Sequence, residues 1–142
     1  MLTLAQAKTI MSTVLAHAGT AGFKPLAIAI LDSRGAQKLF AAQDGTSLKR
    51  GDIALGKAHG VVAMGIGGRA LHKMAQERPY FVEAATHAVG GSLVPVPGGV
   101  LIRDTAGVLL GAIGVSGDTS DNDEAAAVAG IAAAGLVADT GA

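Results

Sequence analysis

The strongest pattern of apolar and polar positions lies between Pro97 and Ile131. Two apolar runs, Val100-Leu101-Ile102 and Val108 to Val115, flank Asp104-Thr105-Ala106-Gly107. The Asp and Gly at the ends of that spacer predict a tight turn, and the runs therefore a β-hairpin. The second strand ends at Ser116-Gly117, and a helix follows at once. Ser120 is its expected N-cap with Asp123 three residues on, as in a capping box. Asp121, Asp123 and Glu124 load the first turn with the negative charge that a helix dipole favours. From Ala125 to Ala138 the chain is Ala-rich and uncharged, which extends the predicted helix.

Upstream, Thr3 and Gln6 form a capping box, and Leu4, Ala7, Ile10, Met11, Val14, Leu15 and Ala18 recur at helical spacing up to a stop near Gly19 or Gly22. Leu26 to Leu31 predicts a short strand, Asp32-Ser33-Arg34-Gly35 a turn and Gln37 to Ala42 the returning strand, with Asp44-Gly45 closing the hairpin. A second helix opens at Gly51-Asp52, carries Ile53, Leu55, Ala58, Val61, Val62 and Met64, and breaks at Gly65-Ile66-Gly67-Gly68. A third runs from Arg69 to Gln76 and stops at Arg78-Pro79, because the residue before proline disfavours the helical basin. The spacing then predicts a short helix through Phe81-Val82-Glu83-Ala84 and a short strand at Leu93-Val94. Strands joined by tight turns are antiparallel, and helices must cover the apolar faces of their sheet. The order predicts one α+β domain over residues 1–142, not a doubly wound nucleotide fold.

Composition changes this picture in one respect. Half of the 142 residues are hydrophobic and 15% are charged, against roughly 25% in an average soluble domain. No apolar run approaches the roughly 18 residues that a membrane span needs. The surplus is therefore assigned to contacts between subunits, and a homo-oligomer is expected with Ala125 to Ala138 in its interface. Gly130 and Ala134, four residues apart, would permit close backbone approach there. The balance of eleven basic and eleven acidic residues argues against a nucleic-acid partner. With no cysteine, thiolate chemistry and disulfides are excluded. The N-terminus shows no charged leader before an apolar segment, so a cytoplasmic protein without membrane attachment is expected.

Several of these residues resemble one family in combination. Pro97-Gly98-Gly99 before the strand, Asp104-x-x-Gly107 at the turn, and Gly111-Ala112-Ile113-Gly114-Val115-Ser116-Gly117 running into Asp123-Glu124 are similar to the GlcG/HbpS family. This domain, also called DUF336-like, occurs too at the C-terminus of PduO-type proteins. Asp32 to Gly35 and Leu55-Gly56-Lys57-Ala58 fit the same pattern. The resemblance implies a profilin-like fold, with an antiparallel sheet of about five strands flanked by helices on both faces. It also implies oligomers and binding of haem or a related tetrapyrrole, and some members accompany the metabolism of small organic acids.

The candidate chemistry is weighed residue by residue. Gly111, Gly114 and Gly117 before a helix suggest a phosphate cradle, but Asp118, Asp121, Asp123 and Glu124 surround the amides a phosphate would need. These acids lack the order of an EF-hand loop, and the helix dipole accounts for them without a metal. Ser116 lies in Gly-Val-Ser-Gly, short of a nucleophile elbow. No two of His17, His59, His72 and His87 have the spacing that sets a zinc pair on one helix face. One histidine is enough to hold haem iron. His59, with Gly60 leaving room beside its imidazole and on a helix that the resemblance places near the family's cleft, is the first candidate for that iron. Tyr80 and His87 are further candidate ligands, and Arg69 or Lys73 could meet tetrapyrrole carboxylates. With three Phe, one Tyr and no Trp, such a ligand is expected in a shallow groove or between subunits. Two alternatives stay open: an enzyme acting on a small organic acid, with a histidine base and the amides of Gly98, Gly99 or Gly117 as anion donors, and an assembly protein without ligand.

Overall fold

Two turns of one design set the sheet. A computed structural model describes residues 1–142. In it Asp32 accepts hydrogen bonds from the Arg34 and Ala36 amides at 2.9 and 3.0 Å, and Gly35 closes the turn at φ 87°. Asp104 does the same for Ala106 and Val108, both at 2.9 Å, with Gly107 at φ 87°. Each Asp thus satisfies two turn amides, and each Gly takes the left-handed conformation that a side chain would resist. Burial alone would raise the Asp32 carboxyl, but the Ala36 and Arg34 amides outweigh it and hold it below the usual range.

These turns join β1 (Ala27–Asp32) to β2 (Gln37–Ala42) and β3 (Gly99–Arg103) to β4 (Leu109–Ser116). With β5 (Val137–Asp139) they form a five-stranded antiparallel sheet in the order β2-β1-β4-β3-β5. The helices are α1 (Leu4–Ala21), α2 (Arg50–Met64), α3 (Gly68–Glu77), α4 (Pro79–Ala88) and α5 (Ser120–Ala133). The fold is α+β, as expected. The Thr3–Gln6 capping box starts α1, and Gly22 ends it at φ 70°.

The two faces of the sheet are covered differently. Ile28, Ile30, Ile113 and Val115 project into a cluster of 17 buried residues with Ile10 and Val14 of α1 and Ile131 of α5. The alternate positions face α2 and are mostly small. Ala27 and Ala29 pack with Ala54, and Ala112 and Leu101 pack with Val61. A Cβ on Gly114 would stand 1.9 Å from the Ala54 carbonyl oxygen, and one on Gly99 would stand 2.5 Å from that of Lys57. The backbone of α2 therefore lies directly on β3 and β4.

Three expectations are corrected. Leu93-Val94 is not a strand: the Val94 amide donates to the Gly56 carbonyl of α2 at 3.1 Å, and Leu93 is buried with Leu71 and Val82. The fifth strand comes instead from the C-terminal segment. The last helix does not reach Ala138, because it ends at Ala133, Gly135 turns at φ 72°, and Val137–Asp139 pairs with β3. Uncharged residues do not distinguish a helix from a short edge strand, so the composition had merged the two. Finally, Thr119 rather than Ser120 is the N-cap, extended at φ −69° and accepting from Asn122. Asp123 is thereby free for another partner. Gly130 makes its close approach within the chain, where a Cβ would lie 2.8 Å from the Ile10 carbonyl oxygen of α1.

Candidate functional site

α2 carries chemistry on two of its sides. Gly56 and Gly60, one turn apart, receive the segment that returns from α4. A Cβ on Gly56 would stand 2.7 Å from Val94 Cγ2, and one on Gly60 would stand 3.1 Å from Leu93 Cγ. Side chains at either position would lift this segment off the helix. Between them, His59 brings Nδ1 to 2.7 Å from the Ser92 carbonyl oxygen. A carbonyl only accepts, so Nδ1 carries the proton and the neutral ring keeps its lone pair on Nε2. A histidine that ligates metal is commonly oriented in this way through its other nitrogen. On the far side, Gly35 of the first turn faces the ring's Cδ2 edge, where a Cβ would lie 3.7 Å away.

An open groove of 410 Å³ lies between α2 and the loop after α4; Ser92, the partner of His59, lines it, and His59 itself does not. Leu55, Leu93 and Val94 give it an apolar floor, Gly90, Gly91 and Ser92 a backbone wall, and Asp52 a charged rim. Gly90 and Gly91, at φ 89° and 95°, take a path that other residues resist. Two larger depressions, of 560 Å³ each, are likewise lined by no histidine. One is lined by Leu15, Phe23 and the end of β2, the other by Arg69, Lys73 and Arg78.

The opposite side of α2 holds a buried ion pair. Lys57, 2% exposed, donates from Nζ to Asp123 at 3.0 Å and to the Val115 carbonyl at 2.8 Å. Asp123 also accepts from the Asp118 amide at 3.0 Å. Burial pulls the Lys57 ammonium below the usual lysine range, and Asp123 opposes that shift. The pair ties α2 to α5 past the end of β4, and Arg50 reaches the buried Ser116 hydroxyl beside it at 3.2 Å.

The other residues singled out in the sequence lie elsewhere. His87 is exposed in the last turn of α4, where its carbonyl accepts from Gly90 at 3.1 Å. Tyr80, at the start of α4, is 71% exposed. Arg69 is held by Glu124 and Asp121 at 3.0 and 2.7 Å, and these contacts raise its pKa further. Gly98 and Gly99 lie buried under Lys57, and Gly117 packs against the Pro25 carbonyl. The acids after Gly117 are likewise engaged within the fold. The Lys24 amide and the Asn122 side chain hold the Asp118 carboxyl down to about 2. Sequence reasoning passed over Ser92, and used Gly35 only for its turn and Gly56 only for the family pattern, although all three lie around the imidazole or the segment that holds it. A signal for Gly56 was available in the four-residue glycine spacing across His59.

A model of the haem-degrading, HbpS-like proteins matches residues 2–132. The chain belongs to the HbpS-like family. Among solved structures it is similar to the complex of PduOC with haem, at 22% identity and a TM-score of 0.85, over 96% of each chain. It is similar to the DUF336 protein ORFY of Klebsiella pneumoniae at 22% identity and a TM-score of 0.81, over 94% of this chain and 90% of that one. A double mutant of Streptomyces reticuli HbpS is 26% identical with a TM-score of 0.77, over 92% and 85%. The first two likenesses establish the shared fold. No curated protein matches the chain. No helix is long and apolar enough to cross a membrane.

Proposed function

We propose that this HbpS-like protein binds haem in the groove beside α2, with His59 Nε2 the atom that would hold its iron. The observation that carries this reading is the imidazole held by the carbonyl of Ser92, a residue that lines the groove. Family membership and the haem complex of PduOC support the choice of ligand. The groove suits the macrocycle and not its propionates, which would point to solvent: Asp52 is its one charge, and Arg69 and Lys73, expected to meet them, line another depression. Leu55, Leu93 and Val94 offer apolar contact to a porphyrin face, while the glycine wall lets a flat ring approach the backbone. Haem, when bound, supplies the iron and its redox chemistry. The protein supplies an oriented ligand, an apolar surface and an open side through which the cofactor enters and leaves. One protein ligand in an open groove suits reversible loading, the property of a carrier or sensor. Titration with haemin should saturate at one equivalent per chain with a defined Soret band. Uptake that rises without saturation, or a thermal shift with small hydroxy acids and none with haemin, would overturn the proposal.

A further inference from the structure

Between α4 and β3, residues 90–97 pass over α2 and α3 without joining a helix or the sheet. Three polar contacts tie this segment to the two helices. The Ser92 carbonyl accepts from His59 Nδ1 of α2 at 2.7 Å, and the Val94 amide donates to the Gly56 carbonyl of α2 at 3.1 Å. The third contact comes from α3: half-buried His72 brings Nδ1 to 3.3 Å from the Pro95 carbonyl oxygen. A carbonyl only accepts, so His72, like His59, carries its proton on Nδ1.

The rest of the segment explains why side chains hold both carbonyls. Pro95 and Pro97 have no amide proton to give. The Val96 amide folds back to the Val94 carbonyl at 3.0 Å, a three-residue turn about Pro95. That turn leaves the Pro95 carbonyl without a partner in its own segment, and His72 takes it. Leu93 packs with Leu71 of α3 and Val82 of α4, and a Cβ on Gly60 of α2 would stand 3.3 Å from the Leu93 Cα. The near end of the segment is Gly90-Gly91, at φ 89° and 95°, where the backbone is least restricted. Beyond those glycines only Leu93 and Val94 separate the two held carbonyls.

We infer that His72 is a positioning residue for His59. By holding the Pro95 carbonyl it keeps the segment seated on α2, so that the Ser92 carbonyl stays on His59 Nδ1 and the Nε2 lone pair stays free. Without that hold the segment shifts as a unit about Gly90-Gly91, and the Ser92 and Val94 contacts loosen together. The His72 contact is the longer of the two imidazole contacts, so its loss moves the segment without unfolding the protein. The consequence for haem rests on the ligation proposed for His59, whereas the consequence for the tautomer of His59 does not.

The test begins on haem-free protein in mildly alkaline solution, where imidazoles are neutral. The nitrogen-15 spectrum of the wild type should show His59 protonated on Nδ1. His72→Leu and His72→Ala, which lack the donor, should give a mixture of His59 tautomers and faster hydrogen exchange at the Val94 amide. His72→Asn sets an amide nitrogen where the imidazole carries Nδ1, and it should restore both readings. Haemin affinity should fall about tenfold in the donor-free variants, the lower end for a partner behind a metal ligand, and recover in His72→Asn. The positioning role is overturned if folded His72→Leu or His72→Ala keeps the wild-type tautomer and Val94 exchange. It is equally overturned if His72→Asn behaves like His72→Leu, since the hydrogen bond would then not be what holds the segment. A shifted tautomer with unchanged haemin affinity would uphold the positioning role and count against ligation by His59.

Discussion

The two faces of one sheet are built on different rules. Towards α1 and α5 the strands present Ile28, Ile30, Ile113 and Val115, and stability comes from filling volume. Towards α2 the same strands present Ala27, Ala29, Ala112 and Gly114, and helix and sheet meet almost backbone to backbone. Alternation puts every second residue on each face, so a single strand encodes both rules. The close-packed face gains less from burial and is locked by the Lys57–Asp123 pair instead. The candidate site is on this side because α2, held rigidly on the sheet, fixes His59. Removing bulk should therefore injure the first face, while adding bulk or breaking charge should injure the second.

The largest effect is expected from Gly114→Val. Its new Cβ would overlap the Ala54 carbonyl, an overlap with backbone that no rotamer relieves and that places the cost at or beyond the upper end of the about 1–3 kcal/mol typical of overpacking. Urea unfolding should show a collapsed stability or no soluble protein, and near-wild-type stability would refute the backbone contact. Next comes Asp123→Ala, which leaves the Lys57 ammonium buried without its carboxylate and should cost about 3–5 kcal/mol. Replacing both partners, as Lys57→Met with Asp123→Leu, should recover most of that loss. A double variant as weak as the single one would show that the charges themselves are needed.

The comparison sharpens at two adjacent positions of β4. Ile113→Ala should cost about 2–5 kcal/mol through the cavity it leaves. Ala112→Gly, one residue away and on the other face, should cost only about 1–2 kcal/mol, through backbone entropy and one lost methyl. Equal midpoint shifts would erase the distinction between the faces. The smallest effect is pH-dependent. The carboxyl of Asp118 sits at about 2 in the fold, below the ordinary value of 3.8, because the Lys24 amide and Asn122 bind its charged form. A carboxyl lowered by folding contributes stability that is full above the ordinary value and is lost as pH falls from about 4 through 2. Asp118→Asn should flatten the stability profile in that window. A profile identical to the wild type would deny the contribution.

Both hairpins, the α1 capping box and the glycine break after α2 were legible in the sequence because each depends on local chemistry. Asp32 and Asp104 satisfy amides only two and four residues away. The last strand and the Leu93-Val94 segment were not legible, since tertiary partners decide both. Val94 bonds to a helix carbonyl, whereas Val137–Asp139 is short and finds β3. Asp123 was read as dipole charge, and its true partner lies 66 residues away. His59 stood out through its neighbour Gly60. The carbonyl that orients it belongs to Ser92, 33 residues away and just before the segment predicted as strand, so no local pattern could reveal the pairing.

The most direct test of the account is the visible spectrum of the ferric haem complex in wild-type protein and three histidine variants. His59→Ala should change the Soret band and weaken haemin binding by at least tenfold. His17→Ala, whose ring lies 5.6 Å from Phe23 beside α1, and His87→Ala should reproduce the wild-type spectrum. A His59→Ala protein with the wild-type Soret band and affinity would contradict ligation by His59. A change in His87→Ala alone would move the ligand to α4.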